Sequence, residues 1–195
     1  MIREKFKQRM TEHPDSITVV AASDFFGPYV TNGGFLGDTF TKAIVEGKPA
    51  PVCIGSKSAL HDFAYAPDFS RVLYLASTNS KANGKFWICP HSIQNKTLSQ
   101  IAKDIASMAN SSNSKVTAYP AWSIRLLSPF VGFMKEMVEM LPVWTNDYTV
   151  DDSDFCKTFG VQATPYEEAR PMAVLPVAMG GFGGIPRLDA SMEVP

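Results

Sequence analysis

A run of residues without polar alternation is the feature that most constrains the fold of this chain. Residues 17–22 are Ile-Thr-Val-Val-Ala-Ala, a continuous stretch of β-branched and small residues. A strand with one solvated face alternates apolar and polar residues, whereas a strand covered on both faces does not. The run therefore predicts a strand between two layers of helices, which is typical of a parallel sheet in an α/β protein.

Strand and helix patterns alternate along the rest of the chain. Short strands are predicted at 52–54, 86–89 and 115–119, and helices at 1–12, 35–46, 98–108 and 121–141, the last interrupted at Pro129. A turn at Ala66-Pro67-Asp68 is expected to lead into a further helix that continues to Thr78. The segment 23–29 after the first strand contains Gly27-Pro28 and is expected to be a loop. Loops at the carboxyl ends of parallel strands commonly bind ligands.

The end of the chain has a different composition. Thr164-Pro165 begins a capping-box pattern, which predicts a helix past Ala169, and Pro171 is expected to stop it almost at once. The segment from Pro171 to the end holds four prolines and four glycines and has little periodicity. We therefore expect one domain over 1–169 and a disordered tail over 170–195.

Composition narrows the class of protein. The 195 residues include 45% hydrophobic and 19% charged residues, which is typical of a globular protein. Eighteen basic and nineteen acidic residues give a net charge of −1, which argues against nucleic acid as a partner. No apolar stretch approaches the roughly 18 residues of a membrane span, so we expect no membrane partner and a cytoplasmic location.

The cysteines and histidines give no pattern of a metal site. Cys53, Cys89 and Cys156 are far apart and form no Cys-x-x-Cys pair, so buried thiols in a reducing compartment are expected. His13 and His91 adjoin prolines and are expected to be exposed. The neighbouring His61 and Asp62 could form part of a hydrolytic triad, but the chain has no Gly-x-Ser-x-Gly segment to supply a nucleophile.

Three ordered segments carry a likeness to a known family. Val20-Ala-Ala-Ser-Asp-Phe-Phe-Gly-Pro28 resembles the strand-to-loop signature of extended and atypical short-chain dehydrogenases of the NAD-dependent epimerase/dehydratase type. Asp62–Phe69 is similar to that family's Tyr-x-x-Asp segment, which precedes a helix of the substrate domain. Phe155–Ala169 is similar to its closing pattern. The resemblance covers the chain from Ile2 to Ala169.

The resemblance implies a partial fold. It implies the C-terminal part of a Rossmann-type sheet and a small α/β substrate-binding lobe, incomplete without an N-terminal half. The family's Gly-x-x-Gly-x-x-Gly unit and Tyr-x-x-x-Lys pair have no counterpart here, and Gly180–Gly184 is no substitute because no strand precedes it. Exposed sheet edges are then expected to favour homo- or hetero-association.

The function implied by this resemblance is that of the substrate-side portion of an NAD(P)-dependent epimerase or reductase. The expected substrate is a small molecule that carries a hydroxyl or carbonyl group or resembles a sugar nucleotide. The cofactor is NAD or NADP, which this chain alone is expected to bind weakly, and the chain alone is expected to be inactive. The alternative is a noncatalytic binding or regulatory module derived from the same fold.

Site residues follow from the resemblance as well. It implies cofactor contacts for Ser23 and Phe26, and substrate contacts for Asn32, Tyr65 and Asp68, with no catalytic residue and no metal ligand. Each has a structural alternative: a turn cap for Ser23, loop shaping for Phe26, a plain loop for Asn32, packing for Tyr65 and a helix N-cap for Asp68. Asp24, beside Ser23, has the same two interpretations.

Overall fold

Helices and short strands alternate through the described part of the chain. The computed structural model describes residues 2–13, 17–28, 30, 36–52 and 56–178. The helices are α1 (Ile2–Glu12), α2 (Asp38–Val45), α3 (Ala66–Thr78), α4 (Leu98–Met108), α5 (Ala121–Leu127), α6 (Gly132–Thr145), α7 (Ser153–Phe159) and α8 (Tyr166–Ala178). The strands are β1 (Val19–Ala21), β2 (Asp24–Phe26), β3 (Ala50–Val52), β4 (Phe63–Tyr65), β5 (Phe86–Ile88) and β6 (Val116–Ala118).

The strands pair in parallel, as the sequence predicts for an α/β fold. They form three two-stranded units, β1 with β5, β2 with β4, and β3 with β6. In the first unit Val20 lies opposite Trp87. β1 is shorter than the run at 17–22 and only half-buried. In the described ranges β5 is its one strand partner, so its other edge has no strand partner there.

The buried side chains form two clusters. The larger one lies among α2, α4, α6 and α8 and includes Phe40, Ile101 and Leu141. The smaller one joins α3, β5 and α7, where the Trp87 ring meets the Phe155 ring edge-on at 5.6 Å between centroids. These clusters cover the apolar faces that the helical periodicity predicts.

Local sequence rules explain several helix boundaries. At the start of α4, the Thr97 side chain accepts a hydrogen bond from the backbone N–H of Gln100, whose side chain accepts one from the Thr97 N–H. This confirms the predicted capping box. The predicted interruption at Pro129 is also confirmed, since Pro129 lies between α5 and α6. Pro142, by contrast, lies inside α6.

Two short strands, β2 and β4, were not expected. The segment 23–29 was predicted to be a loop, but Asp24–Phe26 forms β2 and pairs with β4. The turn proper begins at Gly27, whose φ is +127°, a conformation that other residues rarely adopt. A Cβ atom there would lie 2.9 Å from the Tyr65 ring, so glycine is required for both backbone and packing reasons. Val52 of the strand predicted at 52–54 lies in β3 (Ala50–Val52), and residues 53–54 lie outside the described residues.

The prediction that Pro171 ends the last helix is wrong. α8 begins at Tyr166 and continues through Pro171 and Pro176 to Ala178. A proline in a helix interior costs about 3 kcal/mol. Ala169 and Val174 are buried in the larger cluster, where α8 packs on α2 and α4, and this packing offsets the cost. The first residues of the expected tail are therefore part of the core, and 179–195 lie outside the described residues.

Alkaline pH is expected to destabilise the fold through Tyr166. Burial, and then the charge of Asp104, raise the pKa of this phenol above its ordinary value of 10.0. The unfolded chain releases the proton near pH 10 while the folded chain retains it, so stability present below pH 10 is lost as the pH rises further. The fall in the urea midpoint from pH 8 to pH 11 should be smaller for Tyr166→Phe than for wild type. Equal falls in the two proteins would contradict this assignment.

Candidate functional site

An open cleft lies past the carboxyl end of β1, where β2 meets the first turns of α3. Its volume is about 600 Å³. Its wall combines two hydroxyls, one carboxylate and two aromatic rings with small apolar groups, contributed by Ser23, Asp24, Phe25, Val30, Ala66, Phe69 and Ser70. A cleft at the carboxyl end of a parallel strand is where ligands bind in open α/β sheets.

Ser23 lines this cleft and is held from two sides. Its Oγ donates a hydrogen bond to the Asp62 carbonyl at 2.5 Å, and its backbone N–H donates to His91 Nε2 at 3.1 Å. Its hydroxyl oxygen retains the capacity to accept a hydrogen bond from a ligand. The structure thus places Ser23 in the wall of the cleft.

Asp24 is the carboxylate of the cleft, and a buried histidine fixes it. His61 Nε2 lies 2.9 Å from Asp24 Oδ2, and because a carboxylate oxygen only accepts, Nε2 carries the hydrogen. The His61 ring is stacked on Trp144, with centroids 4.1 Å apart and planes within 5°. About a third of the Asp24 side chain is exposed, while His61 is buried. The cleft therefore presents a carboxylate in one fixed orientation.

The neighbouring Asp62 does not orient His61. Its carboxylate is buried, where Oδ1 accepts from the Asn95 N–H and Oδ2 from the Val150 N–H, both at 2.9 Å. The His61–Asp62 pair considered from the sequence is thus replaced by His61–Asp24. Sequence adjacency could not reveal it, because the two partners are 37 positions apart.

The expectation that His91 is exposed is wrong, since this histidine is buried. Nε2 accepts from Ser23, so Nδ1 carries the hydrogen, and it lies 3.6 Å from Asp152 Oδ2. The His91 backbone N–H donates to the same oxygen at 2.8 Å, and Gln94 Nε2 does so at 3.0 Å. Burial opposes ionisation of Asp152, but these hydrogen bonds hold its pKa below the ordinary value. His91 therefore joins the Ser23 backbone to the loop before α7.

Aromatic side chains divide between the cleft and the core. Phe25 and Phe69 line the cleft, edge-to-face at 5.0 Å between centroids. Phe26, for which the resemblance implies a cofactor contact, is buried and packs against the rings of Tyr65 and Tyr166. Tyr65 is buried too, and desolvation raises its pKa. The structure therefore places Phe26 and Tyr65 in the core and brings Phe25 and Phe69 to the cleft.

Asp68 joins two parts of the chain. Its buried carboxylate accepts from the Thr164 N–H at 2.7 Å and the Thr164 hydroxyl at 2.8 Å. It also accepts from Arg71 at 2.9 Å. It is not the predicted N-cap, since α3 begins after Tyr65 without a side-chain cap and Asp68 lies within its first turn. The carboxylate fastens α3 to the segment before α8.

The other sequence candidates fall outside the described residues. Asn32, Gly33–Gly34 and Gly180–Gly184 lie there. Phe25, Phe69 and the His61–Asp24 contact were missed by the sequence argument. An alternating strand at 24–26 would have pointed to Phe25, but three residues are too few for a periodicity to be recognised.

The cleft residues do not fit the pyrophosphate of a dinucleotide. Such a group needs a glycine-rich helix N-terminus or cations, and the lining residues that the structure describes include a carboxylate and neither lysine nor arginine. In the part of the chain that the structure describes, no group of three or more His, Cys, Asp or Glu residues could hold a metal ion. No helix in the same ranges is long and apolar enough to cross a membrane.

Comparison with known proteins gives a fold likeness. No protein-family model and no curated protein match the sequence. A dTDP-glucose 4,6-dehydratase from Bacillus anthracis, solved with NAD, matches with a TM-score of 0.65 and 11% identity over 89% of this chain and 48% of its own. An epimerase from Methanothermobacter thermautotrophicus matches with a TM-score of 0.64 and 13% identity over 89% of this chain and 46% of its own.

A third solved structure adds a named ligand. The UDP-glucuronic acid 4-epimerase from Bacillus cereus, in complex with UDP-glucuronic acid and NAD, matches with a TM-score of 0.62 and 13% identity. It covers 84% of this chain and 45% of its own length. The chain thus spans about half the length of these proteins, and it has a partial Rossmann-like α/β fold of the kind found in NAD-dependent epimerases and dehydratases.

Proposed function

We propose that this chain is the substrate-side portion of an NAD(P)-dependent epimerase or reductase that acts on a small molecule with hydroxyl or carbonyl groups. The observation that carries the proposal is the cleft past β1, in which buried partners hold Ser23 and Asp24 in fixed positions. Preorganised polar groups on an apolar wall are what a small-molecule site requires. The fold likeness to epimerases and dehydratases supports the class of reaction.

In this proposal the described residues bind and orient, and they transfer no proton. Asp24 accepts a substrate hydroxyl, Ser23 offers its hydroxyl oxygen, and Phe69 forms part of the wall. Asn32 remains a proposed substrate residue, and Ser23 is also the proposed neighbour of the nicotinamide. When bound, the dinucleotide supplies the hydride chemistry. Its pyrophosphate cradle and a Tyr-x-x-x-Lys pair would come from residues outside these 195 or from another chain.

Phe26, Tyr65 and Asp68 have supporting roles in this proposal. The Phe26 and Tyr65 rings pack side by side at 5.5 Å beneath the turn at Gly27. Asp68 fixes the first turn of α3. This helix contributes Ala66 and Ser70 to the cleft. They would thus act on the ligand through the shape of the cleft.

We place the protein in the cytoplasm, where NAD(P)-dependent sugar chemistry has its cofactor.

A noncatalytic binding or regulatory module is the second candidate. The second edge of β1 favours it, because this edge has no strand partner in the described ranges and an open strand edge can accept a strand from a partner. The two candidates differ in a simple observation. If the DNA upstream encodes an in-frame Gly-x-x-Gly-x-x-Gly unit and Tyr-x-x-x-Lys, the longer protein should bind NAD(P) and reduce it with a substrate. If a longer protein with both motifs failed to bind either dinucleotide, that result would contradict the proposal that the protein is an enzyme.

The 195-residue chain alone is expected to bind NAD and NADP weakly, with dissociation constants above about 100 μM. The physical reason is the carboxylate in the cleft and the lack of a glycine-rich cradle. Isothermal titration calorimetry measures this directly, with an intact NAD-dependent dehydrogenase as the positive control. A dissociation constant of a few micromolar for the isolated chain would show that it forms a dinucleotide site by itself.

A further inference from the structure

The charge of the cleft narrows the class of substrate. Building on the proposed function, we infer that the cleft takes an uncharged, hydroxyl-rich compound and not a nucleoside diphosphate sugar. This separates the chain from its structural neighbour in complex with UDP-glucuronic acid. The inference rests on the charges and contacts of the lining residues.

Among the described residues that line the cleft, Asp24 is the one with a charged side chain. The sequence adds a constraint that does not depend on conformation, because no lysine, arginine or histidine occurs between His13 and Lys42. Residues 14–41 can therefore contribute no cationic side chain to the cleft. Arg71, adjacent to the lining residue Ser70, is engaged with the Asp68 carboxylate and the Gln162 carbonyl.

A diphosphate would meet repulsion here with little compensation. Like charges repel more strongly in a partly desolvated cleft than in water, and protein sites for phosphates normally supply arginine, lysine or free backbone N–H groups. The start of α3 lines the cleft with Ala66, and the N-terminus of a helix can offer free N–H groups. However, Pro67 has no N–H, and the Asp68 carboxylate in the same turn offsets the positive end of the helix dipole.

A neutral polyhydroxylated molecule suits the same surface. The Asp24 carboxylate, held by His61, can accept hydrogen bonds from one or two hydroxyls, and such charge-assisted bonds are strong. Ser23 offers a further acceptor. The Phe25 and Phe69 rings give an apolar wall for the C–H face of such a molecule. The volume of about 600 Å³ is ample for a compound of sugar size.

Amide-resolved NMR titration of the full chain tests the inference with matched probes. Glucose, ribose and inositol represent the neutral class, and UDP-glucose carries the same sugar with a diphosphate. At least one neutral probe should shift the amide signals of Ser23, Asp24 and Phe69, and it should bind at least about fivefold more tightly than UDP-glucose. Asp24→Asn should weaken the neutral probe about fivefold and strengthen UDP-glucose. Asp154→Asn, on the exposed surface of α7, should change neither.

Two results would overturn the inference. One is tighter binding of UDP-glucose than of every neutral probe, with shifts at the same cleft residues. The other is the absence of cleft shifts with all neutral probes at about 50 mM, a concentration at which even weak sugar sites fill. Neither result affects the test of dinucleotide binding by the longer protein. An incorrect inference about the substrate class can therefore be distinguished from an incorrect proposed function.

Discussion

Val174→Asp is expected to lower the free energy of unfolding by about 4 kcal/mol or more, which is a large part of the stability of a typical domain. Val174 is buried in the larger core cluster, and α8 packs on α2 and α4 there. A carboxylate at this position would have to enter an apolar environment without a partner. Circular dichroism during urea unfolding measures the loss.

Leu175→Asp is the matched control for this substitution. Leu175 is the next residue of α8, carries a side chain of similar size and is 51% exposed. Leu175→Asp should lower the free energy of unfolding by less than about 1 kcal/mol, because an exposed aspartate remains hydrated. Similar stability of the two variants would show that α8 does not pack on the core, and that the helix ends where the sequence alone placed its end.

Asp68→Ala is expected to cost about 3 kcal/mol of folding free energy. The buried carboxylate accepts both the N–H and the hydroxyl of Thr164, and its loss leaves these donors without their partner. The Arg71 contact adds little, since about half of that side chain is exposed. Thermal and urea unfolding of the variant measure the cost.

Asp154→Ala provides the comparison for Asp68→Ala. Asp154 also lies in the first turn of a helix, α7, but its side chain is exposed. Its loss should cost no more than about 0.5 to 1 kcal/mol through the helix dipole. If Asp68→Ala lowered the free energy of unfolding no more than Asp154→Ala, the hydrogen bonds between Asp68 and Thr164 would not contribute to stability. Asp68 would then be free for the substrate contact that the resemblance implies.

The elements with strong local patterns were predictable. The capping box at Thr97 fixed the start of α4, and the proline at 129 fixed the gap between α5 and α6. Both depend on interactions within a few residues of chain, which the sequence displays directly. The parallel α/β class followed from the run at 17–22 because its lack of alternation reports burial on both faces.

The candidate site was only partly predictable. Ser23 follows a strand end, and this position alone indicates a ligand-binding loop. The orientation of Asp24 depends on His61, and that of His61 depends on stacking against Trp144. These residues are far apart in the sequence, so their contacts follow from strand pairing and helix packing, which no local pattern encodes.

The sequence by itself determined the parallel α/β class and most helix positions, because these depend on local composition and periodicity. Tertiary structure decided the rest. It kept α8 helical through Pro171, since burial of Ala169 and Val174 outweighs a local penalty. It also paired His61 with Asp24 and left Asp62 to bind backbone N–H groups, since buried polar atoms take the partners that the packed chain brings to them.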